Sequence, residues 1–575
     1  MMLQALIAYA ERENLGDPDF ETVGVRWLIS LDQTGQLTAD PIPLAANPDE
    51  KMPKPKRLVR PRSDPDFVSH GRSYFLCDSL ERATVFVEDE AKREKRRVNQ
   101  AYFASLIEEA ARDCQAEAGA LKALAAFLRD EGRLSQLHSR LAALKAKTSD
   151  NAVFSVDGRM LLESPELKAW WRRKNQRQRD DQEKTESVCL ATGVFGQVCR
   201  TAGFIKLLGE DTKLISFNKE CPAFESFGLS QAANAPVNKD AEEKFRSSLN
   251  ALISQGLVFN NTVHLHWTRH PIVEDPFDLL ASADEKAVEA LLKSIRQGQP
   301  PVAFDANTYY AMSLSGNGAR IVVRDWLEST VPDVQKHIAE WFEDLGIILP
   351  DGTRVKRDFK FAALLDGLVR ADREKLAPAL PTQLLHGALR GRSVPLPQAA
   401  LAAAIRRQQL DQENKLFPAR LALIKVCLLR SPHSQNKKLV TKDNTMTECL
   451  NPESRDPAYL CGRLFAVFDR LQYLVLGGVN AGVVERYYAS ASTTPALVMG
   501  RLFRNAQFHL AKAEGGLSTN VNKDFEAITC ALGDQFPDAL DLEGQGRFAL
   551  GYYHQKAEYR RRSLERKENE TAINS

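Results

Sequence analysis

The chain has 575 residues, several times the length of an ordinary domain, so we expect two to four domains. Charged residues make up 26% of the sequence but nearly cancel to a net charge of +2, which excludes a uniformly basic protein. Any affinity for nucleic acid must therefore come from local basic patches. No secretory leader and no uncharged apolar run of about 18 residues is found, so we expect a cytoplasmic protein with no membrane partner.

The N-terminal region, residues 1–186, begins with a predicted helix over residues 3–13 and a strand over 23–32. The segment from Lys51 to Arg62 then carries six basic residues, no acidic residue and several prolines, which predicts a loop or an extended arm. Apolar spacing of three and four over residues 93–147 predicts two or three helices. A hairpin is expected at Asp157–Gly158, followed by an exposed helix end and linker.

Strand and helix signals alternate in the second region, residues 187–345. Strands are predicted at 212–218, 262–270 and 319–327, and helices at 241–256 and 285–298. Strand signals nearly vanish afterwards, which predicts a helical connecting region over 346–445 and a helical bundle over 446–575 with a frayed tail. The predicted fold class is therefore a multidomain protein with a mixed α/β N-terminal region and an all-α C-terminal bundle.

Local signatures of common enzymes are missing from the sequence: it has no phosphate-binding P-loop, no HExxH zinc helix, no GxSxG elbow and no kinase motif set. The short G-x-G at Gly316–Gly318 precedes a strand-like run, whereas a nucleotide cradle follows a strand and opens a helix, so we interpret it as a turn. We therefore predict no catalytic residues and no cofactor.

Metal binding is also not predicted. The nine cysteines are scattered without a CxxC pair, which is typical of reduced thiols, although Cys189 and Cys199 could contribute to a site with two further ligands. His264 and His266 would lie on the same face of a strand, where two imidazoles could bind a metal. Cross-strand surface residues are the commoner explanation of such a pair.

Basic clusters indicate nucleic-acid binding, because contacts to phosphates release counterions. Aromatic residues adjoin three of the clusters, an arrangement suited to stacking on unpaired bases. Solvated charge on helix faces is the competing interpretation for each cluster. The four clusters are residues 51–62, 92–97, 172–179 and 560–567, with Phe67, Tyr74, Trp170, Trp171, Tyr552, Tyr553 and Tyr559 as the adjoining aromatics. The candidate phosphate contacts are Lys54, Lys56, Arg57, Arg60, Arg62, Arg172, Arg173 and Lys174.

Phrases spread from end to end of the chain resemble one family, the large subunits of type I-C CRISPR interference complexes (Cascade). They are Met2–Leu6, Ser216–Asn218, Ala223–Gly228, Asn234–Val237, Ser248–Leu252, Tyr309–Ser315, Leu450–Pro452, Ala458–Leu460, Gly462–Phe465, Arg486–Tyr488 and Ala549–Gln555.

This resemblance implies a noncatalytic subunit of an RNA-guided antiviral complex. Such a subunit contacts the protospacer-adjacent motif (PAM) in double-stranded DNA, promotes strand separation and R-loop formation, and holds the displaced strand, while guide pairing reads the sequence. The implied partners are guide RNA, target duplex and displaced strand, the backbone and guide-processing subunits of Cascade, a small subunit and a helicase-nuclease.

The resemblance also implies where the PAM is read. The family's PAM loop precedes a Phe-Leu pair that aligns with Phe75–Leu76, and a Lys and an Asn of that loop fall on Arg72 and Tyr74. Arg72 could fork onto a guanine edge as Lys cannot, whereas Tyr74 departs from the family's amide. The expected loop residues are His70, Gly71, Arg72, Ser73 and Tyr74.

Two further implications concern a polar loop and the C-terminal bundle. The polar loop, Asn218, Ser226, Gln231 and Asn234, is expected either to face nucleic acid or to form a tight packed turn. Some type I-C systems make their small subunit from an internal start, and Met446 could serve as one or could be an ordinary loop residue. The displaced-strand candidates in the bundle are Arg463, Arg470, Arg486, Arg501, Arg504 and Lys512.

Two other function classes stay open at this point. One is a free-standing nonspecific binder of single strands, which would need no guide RNA. The other is a metal-dependent nuclease without a recognisable motif.

Overall fold

A computed structural model describes residues 2–17, 19–45, 55–63, 71–87, 89–180, 186–218, 221–225, 228–272, 275–296, 307–370, 376–411, 416–432, 446–477, 482–512, 516–533 and 536–574. The chain divides into two compact units. Unit 1 comprises Met1–Ile205 with Lys213–Ala251, and unit 2 comprises Lys206–Thr212 with Leu252–Ser575. The four-part division expected from the sequence stays a prediction.

Unit 1 combines short strands with helices. Its helices are α1 (Met2–Arg12), α2 (Leu80–Ala83), α3 (Glu90–Asp113), α4 (Ala118–Arg129), α5 (Glu131–Ala143), α6 (Pro165–Asp180), α7 (Pro222–Glu225) and α8 (Lys239–Ile253), with 3₁₀ turns at Leu161–Glu163 and Gln231–Asn234. Its strands are β1 (Phe20–Val25), β2 (Trp27–Leu31), β3 (Ile42–Pro43), β4 (Lys56–Pro61), β5 (Cys77–Ser79), β6 (Asn151–Val156), β7 (Arg159–Met160), β8 (Glu186–Val188) and β9 (Phe195–Gln197).

The main sheet of unit 1 has the order β3-β2-β6-β5, with β7 also paired to β6. Strands β2 and β6 are parallel, and β6 is almost fully buried, as expected for the centre of a sheet covered by helices. Phe154 of β6 packs against Phe103 of α3 and Phe127 of α4, with ring centroids 6.0 and 6.5 Å away. Helix α3 is therefore fixed on the sheet, and its other side is available to neighbouring loops.

A separate two-stranded ladder joins β1 to β4 in antiparallel register, from Phe20 opposite Pro61 to Val25 opposite Lys56. Part of the predicted basic arm is thus an extended strand, in agreement with the prolines that exclude a helix there.

Unit 2 contains an antiparallel sheet and most of the helices. Its strands are β10 (Ile205–Leu207), β11 (Glu210–Thr212), β12 (Leu257–Phe259), β13 (Thr262–Thr268), β14 (Thr308–Asn317), β15 (Arg320–Thr330), β16 (Ile347–Ile348) and β17 (Val355–Lys356). Its helices are α9 (Pro276–Ser282), α10 (Glu285–Arg296), α11 (Val331–Leu345), α12 (Phe361–Asp366), α13 (Ala379–Arg390), α14 (Gln398–Leu410), α15 (Pro418–Leu429), α16 (Pro457–Leu476), α17 (Val483–Thr493), α18 (Pro495–Lys512), α19 (Gly516–Leu532) and α20 (Leu542–Asn574).

Strands β12 to β15 follow one another in an antiparallel sheet. One hydrophobic core is formed by this sheet and helices α9 to α15. Residues of α16 and α20 also belong to this core, among them Tyr459, Leu550 and Tyr553. A second core lies among helices α16 to α20, where Phe465, Tyr488 and other rings pack together. The C-terminal bundle therefore shares one side with the helices that precede it.

The predicted fold class is confirmed: strands mix with helices in the N-terminal half, and helices dominate the C-terminal half. The hairpin at Asp157–Gly158 joins β6 to β7, with both residues at positive φ. Gly318, also at positive φ, lies in the turn between β14 and β15, so the G-x-G segment belongs to a hairpin.

Other element predictions were wrong. Residues 213–218 form no extended strand, since β11 ends at Thr212. Strand β14 was not predicted, although it pairs with both β13 and β15. The tail predicted to fray continues α20 as helix to Asn574.

Candidate nucleic-acid interfaces

The described part of the predicted PAM loop, Gly71–Tyr74, lies against helix α3; His70 lies outside the described residues. Gly71 has φ of +88°, and a Cβ atom there would lie 2.9 Å from Cγ1 of Val98. Both the backbone conformation and the close approach to α3 therefore require glycine.

Two hydrogen bonds connect the next loop residues to Asn99 of α3. The Asn99 side-chain amide donates to the carbonyl of Arg72 at 2.7 Å, and the buried Ser73 hydroxyl donates to the Asn99 carbonyl at 2.8 Å. The Arg72 guanidinium carbon lies 5.7 Å from the ring centroid of Tyr102, one turn further along α3. The structure thus holds this loop on a helix that the sequence did not link to it.

Tyr74 takes part in packing within unit 1. Its backbone N–H donates to the Asp78 carboxylate at 2.9 Å, and the Arg60 guanidinium carbon lies 3.5 Å from its ring centroid. Burial raises the pKa of the Tyr74 phenol. The Tyr74 ring therefore forms a cation–π contact with Arg60 inside unit 1.

The four described basic residues of the arm fall into two pairs. Lys56 and Arg57 of β4 are exposed. Arg60 is buried, with two hydrogen bonds to Glu21 at 2.7 and 2.9 Å, and Arg62 pairs with Glu243. Burial lowers the pKa of Arg62 to about 10. Arg60 and Arg62 therefore have carboxylate partners inside the fold, and we remove them from the candidate DNA contacts; Lys54 and Phe67 lie outside the described residues.

The cluster on α6 is partly neutralised. Arg172 pairs with Asp17 at 2.7 Å, Lys174 with Glu109 at 2.5 Å, and Arg173 is exposed. The two tryptophans before it, predicted to stack on bases, are only 3% exposed and pack against Phe75 with centroids 5.0 and 5.4 Å away. Their prediction as a stacking surface was wrong, because the core of unit 1 already covers both rings.

The cluster at residues 560–567 shows the same pattern. Arg561 pairs with Glu558 and Glu565, and Arg562 pairs with Asp524, so these charges are balanced within the bundle. The nearby tyrosines cannot stack on bases either, because Tyr552, Tyr553 and Tyr559 are at most 6% exposed.

The polar loop forms a local turn. The Asn234 side-chain amide donates to the carbonyls of Leu229 and Gln231, at 3.3 and 3.1 Å, and the Gln231 amide oxygen accepts from Arg200. Asn234 thus closes the turn that the sequence offered as one alternative. Asn218 is exposed, and Ser226 lies outside the described residues.

Within the bundle, Arg463 is not a surface residue. It is 5% exposed, its Nε donates to the Gln555 amide oxygen at 3.1 Å, and burial lowers its pKa. Arg463 therefore joins α16 to α20 and is removed from the displaced-strand candidates. Arg470 is half-buried with its guanidinium carbon 5.7 Å from the Tyr473 ring centroid, and Arg486 is exposed.

Helix α18 brings the remaining three candidates together. Arg501, Arg504 and Lys512 are exposed and follow the helical spacing of three and four residues, so they share one face. Leu497 and Phe508 complete that face, with 81% and 66% of their surfaces exposed. We call these five residues the α18 stripe.

The α18 stripe carries three positive charges, and its own helix supplies no negative one. No Asp or Glu occurs between Pro495 and Lys512, and within the described part of the chain no carboxylate forms an ion pair with Arg501, Arg504 or Lys512. Exposed cations beside an exposed aromatic ring suit a single strand, whose phosphates and unpaired bases they contact respectively. The sequence identified the three cations but not Leu497 and Phe508.

The histidine pair lies on one face of β13, as predicted, but His264 is only 1% exposed and so is not a surface residue. Its Nδ1 contacts the Ser313 hydroxyl at 2.8 Å, and burial lowers its pKa to about 4. His266 lies 3.4 Å from the Asp275 carboxylate and stacks on Phe277. Among the described residues, no three His, Cys, Asp or Glu side chains are placed to hold a metal ion together.

Comparison with known families decides the relationship of the chain. Residues 6–560 match the family of the CRISPR-associated protein (Cas_Csd1). The chain belongs to this family. No curated protein matches the sequence significantly.

Two surfaces of this CRISPR-associated protein are candidate nucleic-acid interfaces. One is the loop Gly71–Tyr74 on α3, where the exposed Lys92 and Lys95 lie on the helix turns before Asn99. The other is the α18 stripe. None of the helices in the described ranges is long and apolar enough to cross a membrane.

Proposed function

We propose that this CRISPR-associated protein is the noncatalytic large subunit of a type I-C Cascade. In this role it reads the PAM in double-stranded DNA, promotes R-loop formation, holds the displaced strand and allows a helicase-nuclease to bind. The observation that carries the proposal is the α18 stripe: three exposed cations without ion-pair partners in the described structure, on one helix face with an exposed phenylalanine. An RNA-guided complex needs such a surface once guide pairing has displaced one DNA strand.

The loop Gly71–Tyr74 supports the duplex-reading part of the proposal. Sequence-specific readers need a side chain that reaches base edges from a backbone held in place, and nearby cations that contact phosphates. Arg72 supplies a planar donor suited to guanine, and Asn99 holds its backbone. The exposed Lys92 and Lys95 on α3 and Lys56 and Arg57 on β4 supply cations in the same unit.

Arg72→Ala tests the duplex-reading role in the complex assembled with guide RNA and the other subunits. We expect the variant to lose at least tenfold in affinity for guide-matched duplexes that carry the preferred flanking motif, and much less for guide-matched single strands. Equal loss on both substrates would show that Arg72 contributes only general electrostatic attraction.

Guide RNA and partner subunits distinguish the proposal from a free-standing binder of single strands. We expect the chain to copurify with guide RNA only when the backbone and guide-processing subunits are present. Metal-dependent cleavage of DNA by the purified chain alone would instead identify a nuclease.

We include Met446 in the proposal as an internal start for the small subunit. Its side chain packs on the main core of unit 2, and the following Glu448 binds Arg357 through both carboxylate oxygens at 2.6 Å. A product that begins here would expose Tyr459, Leu550 and Tyr553, which that core buries, so it would need a partner surface. Expression with and without a silent change in the upstream ribosome-binding site tests this; a single full-length product from both genes would exclude it.

A further inference from the structure

The polar residue Asn99 lies in a part of α3 where an apolar residue would be expected. It is only 1% exposed, and the buried positions around it on the same helix, Phe103 and Ala104, are apolar. A buried side-chain amide requires hydrogen-bond partners. The Asn99 side-chain N–H finds its partner in the loop, at the carbonyl of Arg72.

Asn99 forms hydrogen bonds with two consecutive loop residues, one as donor and one as acceptor. The side-chain amide fixes the peptide that follows Arg72, at 2.7 Å, and the backbone carbonyl of Asn99 fixes the Ser73 hydroxyl, at 2.8 Å. Ser73 is fully buried, so this hydroxyl has no access to water. Together these contacts fix the backbone conformation at Arg72 and so the direction in which its side chain points.

Neighbouring residues of α3 hold Asn99 itself in orientation. The Arg96 guanidinium donates to the Asn99 amide oxygen at 3.4 Å and pairs with Glu81 at 2.6 Å, which leaves the amide nitrogen directed at the loop. One residue earlier, Val98 forms the surface on which Gly71 packs. The same turn of α3 therefore constrains Gly71, Arg72 and Ser73.

We propose that Asn99 is a positioning residue for DNA sequence reading: it presets the loop so that Arg72 is presented to base edges before DNA binds. This rests on the proposed function, because it requires the loop to contact duplex DNA. A loop that is already ordered loses less conformational entropy when DNA binds. This increase in affinity applies only to DNA that the loop contacts favourably. Loss of Asn99 should therefore reduce discrimination between flanking sequences rather than overall DNA affinity.

The experiment uses the assembled, guide-loaded complex and a library of guide-matched duplexes with randomised flanking bases. Three variants act on the contact: Asn99→Ala removes the amide, Asn99→Asp keeps its size but places an oxygen against the Arg72 carbonyl, and Ser73→Ala removes one hydroxyl. The matched control is Gln100→Ala, since Gln100 donates to the Leu128 carbonyl of α4 and forms no hydrogen bond with the described loop residues Gly71–Tyr74.

We expect the wild-type complex and Gln100→Ala to enrich one flanking motif equally. Asn99→Ala and Asn99→Asp should lower the ratio between preferred and other motifs at least tenfold, and Ser73→Ala at least threefold, with unchanged affinity for guide-matched single strands. Should Asn99→Ala fail to fold, Asn99→Asp decides, because it keeps the size of the side chain.

The outcomes separate the two proposals. No preferred motif with the wild-type complex would overturn the proposed function itself. A wild-type preference that survives in folded Asn99→Asp would overturn the positioning role alone, as would an equal loss of affinity for duplexes and single strands.

Discussion

Removing the positive charge of the α18 stripe should flatten the salt dependence of single-strand binding. The perturbation is the triple change Arg501→Gln, Arg504→Gln and Lys512→Gln. All three side chains are exposed, and no residue in the described structure forms an ion pair with them, so the change breaks no internal ion pair there and should leave the fold intact.

The magnitude follows from counterion release. Leu497 to Lys512 spans about 22 Å of helix, long enough for several phosphates of one strand. Each single-strand phosphate contact contributes about −0.7 to the slope of log affinity against log salt, so three contacts contribute about −2. A fourfold rise in salt should then weaken binding by the wild type roughly 16-fold more than binding by the variant.

The assay is fluorescence anisotropy of a labelled DNA single strand that does not match the guide, titrated with the assembled, guide-loaded complex at several salt concentrations between about 50 and 200 mM. The matched control is Lys286→Gln, Lys293→Gln and Lys523→Gln, which removes the same charge from exposed positions outside the stripe. The reasoning is refuted if the stripe variant keeps the wild-type slope, or if the control changes the slope by the same amount, because the effect would then reflect net charge alone.

Three further predictions follow from the structure. Lys56→Gln with Arg57→Gln should reduce the salt slope for duplex binding by close to 2, at about 0.9 for each contact, in the same titration; an unchanged slope would show that β4 does not touch DNA. Arg60→Ala should destabilise the chain by about 1.5–3 kcal/mol in urea denaturation, because it removes the hydrogen bonds to the partly exposed Glu21, whereas a loss under 1 kcal/mol would mean that this pair is unimportant. Phe508→Ala should weaken single-strand binding by about 1–3 kcal/mol through lost base stacking and leave stability unchanged, since the ring is exposed; equal affinity would exclude stacking there.

The pH dependence of stability follows from His264. Burial lowers its pKa from 6.5 to about 4 in the folded chain. Between these values the unfolded chain binds the proton and the folded chain does not, so the stability from neutral His264 is complete above about pH 6.5 and declines toward pH 4. Urea denaturation at pH 7 and pH 5 should show a smaller decline for His264→Asn than for the wild type; equal declines would contradict the assignment.

The fold was predictable where local patterns agree with burial. Apolar spacing over residues 93–147 identified α3 to α5, and Asp157–Gly158 marked a hairpin because both residues adopt positive φ. Strand β14 was missed because residues 311–315 are buried on both faces of the sheet, which the polar residues Ser313 and Ser315 among them do not indicate.

Candidate site residues could be predicted where the residues that form the site are close together in the sequence. The cations of the α18 stripe lie within one helix, so their spacing is visible in the sequence. Arg60 and Arg62 are neutralised by Glu21 and Glu243, which are 39 and 181 positions away, and no local pattern reports such pairs. Asn99 likewise holds a loop 26 positions before it.

The most direct test of the central claim is R-loop formation with and without this chain. Backbone and guide-processing subunits with guide RNA are mixed with a guide-matched duplex, and permanganate reactivity of the displaced strand is measured. We predict reactive thymines only when the chain is present, together with partial protection that the α18 stripe variant loses. Equal reactivity without the chain would contradict its role as the subunit that opens the DNA.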